Sequence, residues 1–130
     1  GTVVSEIRQG LLLFVGIGKR DDDAVSAETA LKISKFRIFE DDHGKMNLDI
    51  SQVSGEVLSV SQFTLLADTE SGNRPGFDAA APPDQAKKVW CEFNESLRKL
   101  GIKVSEGVFG ANMQVELVND GPVTFIVSSR

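Results

Sequence analysis

Ordinary nucleophile–base chemistry has little to work with here: the chain holds one histidine and one cysteine. His43 lies in the acidic stretch Glu40-Asp41-Asp42-His43-Gly44, and nothing around it supplies the nucleophile that a triad needs. It reads as an exposed loop residue. Cys91 falls inside an amphipathic pattern beside Trp90, where an unactivated thiol behaves as a small hydrophobe. Asp21-Asp22-Asp23 is a candidate metal cluster, but consecutive carboxylates converge poorly on one ion and no EF-hand spacing follows. The triplet reads instead as N-cap and first-turn charge for a helix. No zinc-ligand spacing and no glycine-rich phosphate loop is present. No metal or cofactor is therefore expected.

What remains is backbone chemistry. Asn119-Asp120-Gly121-Pro122-Val123-Thr124 lies between two apolar runs, Val115 to Val118 and Val123 to Val127, which the pattern predicts as strands. Proline fixes its own φ and lacks an N–H, and a Gly-Pro bond adopts cis at modest cost. Such a corner can aim carbonyl oxygens rigidly at a ligand. The alternative is a plain hairpin turn.

The elements around these residues read as one domain over residues 1–130. Hydrophobic residues make up 41% and charged residues 25%, ordinary values for a folded domain. No apolar run of about 18 residues predicts a membrane span, and the lone cysteine makes a reducing cytoplasm the default. The net charge of −5 argues against a long grip on nucleic acid. Lys19-Arg20, Lys87-Lys88 and Arg98-Lys99 read as solvated surface.

Val3 to Ile7 predicts a short strand, joined by a hairpin around Arg8-Gln9-Gly10 to a strand over Leu11 to Ile17 that is buried on both faces. A helix should run from the aspartates to about Arg37, with Ala30, Ile33 and Phe36 facing the core. Strand character returns over Glu56 to Ser61, and a long connection from Leu66 to Pro83 follows, of the kind that often carries function. The clearest helix follows Pro82-Pro83-Asp84, with Ala86, Val89, Trp90, Phe93, Leu97 and Leu100 on one face and Gly101 as its stop. Ile102-Lys103-Val104 begins another strand.

Four further stretches join the corner: Gly44-Lys45-Met46-Asn47, Ser61-Gln62-Phe63-Thr64-Leu65, Gly72-Asn73-Arg74-Pro75-Gly76-Phe77 and Phe109-Gly110-Ala111-Asn112-Met113. Together, in this order, they resemble the D-aminoacyl-tRNA deacylases, the chiral proofreading enzymes. The resemblance covers essentially the whole chain. It departs in two places: family members usually have a further strand ahead of Gly1, and more often carry a serine where Gly76 stands. The resemblance implies an α+β fold, a curved, mixed, barrel-like sheet with two main helices on one side, and a C2 homodimer.

It also implies hydrolysis of the ester of D-aminoacyl-tRNA by a largely RNA-assisted route. That ester is already activated, and the terminal ribose carries a neighbouring 2′-hydroxyl. A positioned water and a stabilised oxyanion then matter more than a protein nucleophile. Gln62, Phe63 and Thr64 would be catalytic, with backbone N–H groups as oxyanion donors and Thr64 as a hydrogen-bonding residue, since no base is at hand to activate its hydroxyl. Ser61 would help to seat the aminoacyl end. Phe109 and Met113 resemble residues that line the terminal-adenosine pocket; from sequence alone they read as core. Arg74 either meets an acceptor-end phosphate or is simply solvated. Gly121 and Pro122, in the family a cis corner inserted into the neighbouring subunit's site, would reject L side chains, leaving D-amino acids and glycine as substrates. The partner implied is the tRNA acceptor end. Two rivals stand beside this reading: a related deacylase for mischarged L-aminoacyl-tRNA, and a non-catalytic nucleic-acid-binding module.

Overall fold

Three parallel strands form the central sheet. The computed structural model describes residues 2–129. Strand β1 (Gly10–Val15), helix α1 (Asp23–Ser34), the two-stranded antiparallel pair β2 (Phe39–Glu40) and β3 (Met46–Leu48), strand β4 (Glu56–Ser61), a 3-10 turn (Phe63–Leu66), helix α2 (Pro83–Lys99) and strand β5 (Lys103–Glu106) follow in order. The sheet order is β1-β4-β5, with β4 central. Gly10 lies opposite Glu56 and Val15 opposite Ser61, while Glu56 to Ser59 pair with Lys103 to Glu106. A Cβ at Gly10 would overlap the Glu56 carbonyl, so the start of β1 requires glycine.

Parallel neighbours need crossover connections, and the helices supply them. Asp22 caps α1 by accepting from the Val25 N–H at 3.0 Å, and Asp23 adds charge in the first turn. Asp22 and Asp23 thus serve the helix N-terminus as expected, while Asp21 instead accepts from the Gly18 N–H at 2.7 Å. Proline stands at the first position of α2, where no intrahelical N–H is needed. Arg98 and Lys99 occupy its last turn, against the negative end of the helix dipole. Gly101, at φ +86°, stops it.

Both helices bury their apolar stripes on one face of the sheet. Ala30 and Ile33 of α1 meet Phe93 and Leu97 of α2, over Val57, Ile102 and Val104, with Leu11 and Leu13 of β1 packed alongside. A second cluster joins Ile17, Ala81, Ala86, Val89 and Trp90 at the other end of α2. The buried indole N–H of Trp90 donates to Ser59 Oγ at 2.9 Å, tying α2 to the central strand. Asn94, one turn after Trp90, shares the buried stripe.

Arg98 holds the end of α2 to β5. Its guanidinium bonds Glu95, Glu106 and the Val104 carbonyl. Partial desolvation disfavours its charge, but the two carboxylates outweigh that and hold its pKa above the ordinary value. Asp41 folds the β2–β3 connection by accepting from the His43 and Lys45 N–H groups, and these bonds lower its pKa. His43 is thus an exposed residue of that hairpin.

Several expectations are corrected. Val3 to Ile7 forms no strand and no hairpin with β1. The Ser5 hydroxyl instead donates to the Glu106 carbonyl, beside β5. β1 is paired only with β4 and is half-buried, with Phe14 exposed, so it is not a strand covered on both faces. Helix α1 ends at Ser34, three residues short of Arg37, and Leu100 caps α2 from an exposed position. The runs flanking Gly121-Pro122 are not strands: they find no ladder partner, and Val118 and Ile126 are 91% and 97% exposed. Within the protomer the described strands form two sheets, one parallel and one antiparallel, and neither closes on itself.

Leu97 is fully buried where both helices meet the sheet. Leu97→Ala is expected to lower the unfolding free energy by about 2–5 kcal/mol, read from urea denaturation with an unchanged m-value.

Candidate functional site

The chemistry predicted from sequence gathers where the parallel strands end. In open parallel sheets, the carboxyl ends of the strands are where ligands bind. Here β4 runs through Ser61 into Gln62, whose N–H bonds the Val15 carbonyl of β1 at 2.8 Å. The chain then turns sharply into the 3-10 turn Phe63–Leu66. Phe63 and Thr64, as its first residues, carry N–H groups with no intrahelical acceptor. Among the described residues, no other protein acceptor takes them either.

The side chains of Gln62 and Thr64 interact. Gln62 Nε2 donates to Thr64 Oγ1 at 2.6 Å. Among the described residues no acceptor takes the Thr64 hydroxyl proton, which leaves it available to a ligand. Two backbone donors and one hydroxyl donor therefore sit on consecutive residues, which suits a developing oxyanion. No histidine or carboxylate is hydrogen-bonded to this hydroxyl among the described residues. Ser61 is half-buried at the last ladder position, opposite Val15.

Glycine lets β1 approach this turn. A Cβ at Gly16 would lie 2.5 Å from Leu66 Cδ2, 3.0 Å from Leu65 Cβ and 3.3 Å from the Gln62 carbonyl. Any side chain there would push the turn outward. Sequence reading passed over Gly16, although the Val15-Gly16-Ile17-Gly18 spacing held the signal.

The long connection folds back over the same end. Asp68 and Gly76 exchange two backbone hydrogen bonds, at 2.7 and 2.9 Å, which closes a loop around Arg74. Phe77 follows, and its ring centroid lies 5.0 Å from that of Phe63. Phe63 is nevertheless 56% exposed. An aromatic surface thus stands beside the donor groups, available for stacking. Arg74 is exposed on the loop.

Phe109 and Met113 lie close by, on the segment that leaves β5. Phe109 packs against Trp90 at 5.9 Å between ring centroids, half-buried over the second core cluster. Met113 is exposed, and a Cβ at Gly107 would meet its Sδ at 3.3 Å and Val60 Cγ2 at 3.7 Å. One face of Phe109 therefore packs on the core while the ring stays partly exposed, and Met113 borders the strand ends. Cys91, beside Trp90, belongs to the same packed cluster.

Among the described residues, no hydrogen bond joins Gly121 or Pro122 to Gln62, Phe63 or Thr64. The segment carrying them continues to Phe125, whose ring meets Phe36 at 6.5 Å, just beyond the last turn of α1. Because α1 runs back from the carboxyl end of β1, Phe36 marks the opposite end of the sheet from Thr64. The corner is braced by its own residues. Asn119 accepts from the Val123 N–H at 3.0 Å and donates to Thr124 Oγ1 at 2.8 Å. The Gly121-Pro122 peptide bond is cis. The corner is exposed, and so are Leu117, Val118, Phe125 and Ile126 around it.

Comparison with known proteins bears on this arrangement. The family model described as D-Tyr-tRNA(Tyr) deacylase matches residues 1–128. A D-aminoacyl-tRNA deacylase of Alteromonas mediterranea is 53% identical over 96% of this chain and 86% of its own length. One of Thermodesulfovibrio yellowstonii is 50% identical over 100% of this chain and 89% of its own. Among solved structures, the c-Myc DNA unwinding element binding protein superposes with a TM-score of 0.85 at 38% identity, over 92% of this chain and 82% of that one. A probable eukaryotic D-amino acid tRNA deacylase shares the fold, with a TM-score of 0.66 at 15% identity over 79% of this chain and 76% of that one. With relatives half-identical over nearly its whole length and a matching model spanning residues 1–128, the chain belongs to the D-Tyr-tRNA(Tyr) deacylase family.

Proposed function

We propose that this protein hydrolyses the ester joining a D-amino acid to the terminal ribose of tRNA, releasing the free D-amino acid and tRNA. The observation that carries this reading is the family match across residues 1–128, together with the donor cluster at the end of β4. Water attacks the ester carbonyl, the carbon–oxygen bond to the ribose breaks, and the ribose oxygen takes up a proton. The neighbouring 2′-hydroxyl assists. Phe63 and Thr64 N–H groups hold the oxyanion, Gln62 orients the Thr64 hydroxyl, and Ser61 seats the aminoacyl end. Met113 and Phe109 border the terminal adenosine, and Arg74 meets a nearby phosphate. The protein acts as one domain, as translation quality control in the cytoplasm. No helix among the described residues is long and apolar enough to cross a membrane.

The Gly121-Pro122 corner supplies chiral selection from a second copy. The exposed Leu117, Val118, Phe125 and Ile126, which an isologous interface would bury, support this. The runs on either side of the corner would gain ladder partners in that homodimer, closing the sheet into a curved, barrel-like form. Carbonyl oxygens at the corner accept from the substrate ammonium and occupy the space of an L side chain. Glycine, with no side chain to reject, passes with the D-amino acids.

A second reading is a nucleic-acid-binding module without catalysis, favoured by the name of the structural neighbour that binds a DNA element. A deacylase for mischarged L-aminoacyl-tRNA is the remaining alternative. Side-by-side incubation with D-Tyr-tRNA and L-Tyr-tRNA separates all three. We expect rapid release of D-tyrosine only; release of L-tyrosine selects the third reading, and salt-dependent RNA or DNA affinity without hydrolysis selects the second.

Two variants test the assigned roles. At Gly121, φ is +137° and a Cβ would lie 2.6 Å from Val123 Cγ2, so an alanine there must displace the corner. Gly121→Ala is expected to reduce D-over-L discrimination about tenfold or more, measured as the ratio of kcat/KM values, while D-ester hydrolysis persists. Thr64→Val removes one hydrogen-bonding group and should cost roughly tenfold in kcat/KM. Complete loss of turnover in that variant, with an acyl-enzyme trapped on wild-type protein, would instead make Thr64 a nucleophile.

A further inference from the structure

We propose that Gly16 is a positioning residue for ester hydrolysis: its missing side chain sets where the Phe63 and Thr64 N–H groups stand. This deepens the reading above and rests on it for the reaction. Gly16 directly follows β1, at the strand end where the 3-10 turn stands. The three atoms nearest to a Cβ at Gly16 differ in how freely they can move. Leu66 Cδ2, at 2.5 Å, ends a flexible side chain and can swing aside. Leu65 Cβ, at 3.0 Å, and the Gln62 oxygen, at 3.3 Å, are fixed to the backbone of the turn and move only with it. Carbon atoms pack best at about 3.5–4.0 Å, so the Leu65 contact is repulsive. The Gln62 carbonyl matters most. It belongs to the same planar peptide unit as the Phe63 N–H, so a push on the oxygen turns the donor. It also accepts from the Leu65 N–H at 3.3 Å, the bond that closes the turn around Phe63 and Thr64.

An added methyl group must displace one side of this contact, and the hydrogen bonds decide which. The chain around Gly16 is pinned on both flanks. The Val15 carbonyl receives the Gln62 N–H at 2.8 Å, and the Ile17 carbonyl receives the Ala81 N–H at 3.0 Å. Beyond them, the Gly18 N–H is held by Asp21 at 2.7 Å and the Lys19 N–H by the Ala79 carbonyl at 3.1 Å. Ile17 is also buried in the second core cluster with Trp90. The turn is held less firmly: Phe63, Thr64 and Leu65 are all exposed. The turn therefore gives way, by a few tenths of an ångström, while the sheet stays in place.

A shift of that size acts on the chemical step more than on binding. Donors aimed at an oxyanion are felt as negative charge develops on the substrate oxygen, and their worth depends on where they point. The ground-state ester asks less of them, so substrate affinity is largely kept. Two residues on, Gly18 supplies the contrast. A Cβ there would touch the turn only at Leu66 Cδ1, at 3.7 Å, and would otherwise meet Asp21 Oδ2 at 3.3 Å and the Ala79 carbonyl at 3.5 Å. The same substitution at the two glycines thus separates pressure on the turn from a side chain merely added to this stretch.

The test measures kcat and KM on D-Tyr-tRNA for wild type, Gly16→Ala, Gly18→Ala, Leu66→Ala and Gly16→Ala/Leu66→Ala, with a urea midpoint for each to establish that it is folded in the assay. We expect kcat about tenfold lower in Gly16→Ala with KM within about twofold, and both constants within about twofold in Gly18→Ala. Leu66→Ala removes the nearest clash, so the loss caused by Gly16→Ala should be smaller in that background than in wild type. In the amide NMR spectrum, Gly16→Ala should move the Phe63 and Thr64 resonances, and Gly18→Ala should leave them. A folded Gly16→Ala protein with the wild-type kcat would overturn the proposal, as would an equal loss in Gly18→Ala or a loss carried by KM alone. If Gly16→Ala does not fold, the double variant measured against Leu66→Ala makes the same comparison. Absence of ester hydrolysis by the wild type would remove the hydrolase reading instead. The amide spectrum then decides by itself whether Gly16 sets the turn, and unmoved Phe63 and Thr64 resonances would overturn that too.

Discussion

Strand β4 is hydrogen-bonded along both edges, and the position of the site follows from that double pairing. Its register with β1 brings Val15 beside Ser61, so the Val15 carbonyl can receive the Gln62 N–H. Its pairing with β5 sets Glu106 opposite Ser59, and Ser59 in turn receives the Trp90 indole N–H inside the core. One strand thus anchors the longest helix, fixes both neighbours and ends in the donor groups. Peptide N–H groups placed this way have few soft degrees of freedom. That suits a reaction asking the protein for orientation and charge stabilisation more than for a reactive side chain.

Helix α2 was the most legible element in the sequence. Its apolar stripe, its N-terminal proline and its terminal glycine each state one boundary or face, and each acts locally. The aspartates at the start of α1 were equally plain, because capping is a contact between neighbours. Strand β4 and the Ser61 to Leu65 motif were also visible, the first from its apolar pattern and the second from resemblance. The 3-10 turn was not, since Phe63 to Leu66 carries no breaker or cap signal; the turn arises because Gly16 lets β1 come so close.

The misread ends have a common physical cause. Val3 to Ile7 and the two runs around Gly121 have the composition of strands, but a strand exists only where another strand completes its ladder. Their apolar character predicts burial without saying against what. In one protomer the C-terminal run meets only Phe36 by a recorded aromatic contact and otherwise faces outward. Gly121 and Pro122 were recognised by type and not placed, because position here depends on contacts distant in sequence or outside the protomer. Phe77 was visible within its motif, but its stacking on Phe63 depends on the loop closed by Asp68 and Gly76.

The Asn119 carboxamide uses both of its ends, accepting from Val123 and donating to Thr124 across the turn. The shape of that corner is therefore written into six consecutive residues rather than imposed by the sheet. A feature encoded so locally is portable. It can be moved along the chain, lengthened at its base or grafted onto another scaffold while keeping its form, so that in this fold the means of choosing a substrate and the means of transforming it are separable parts.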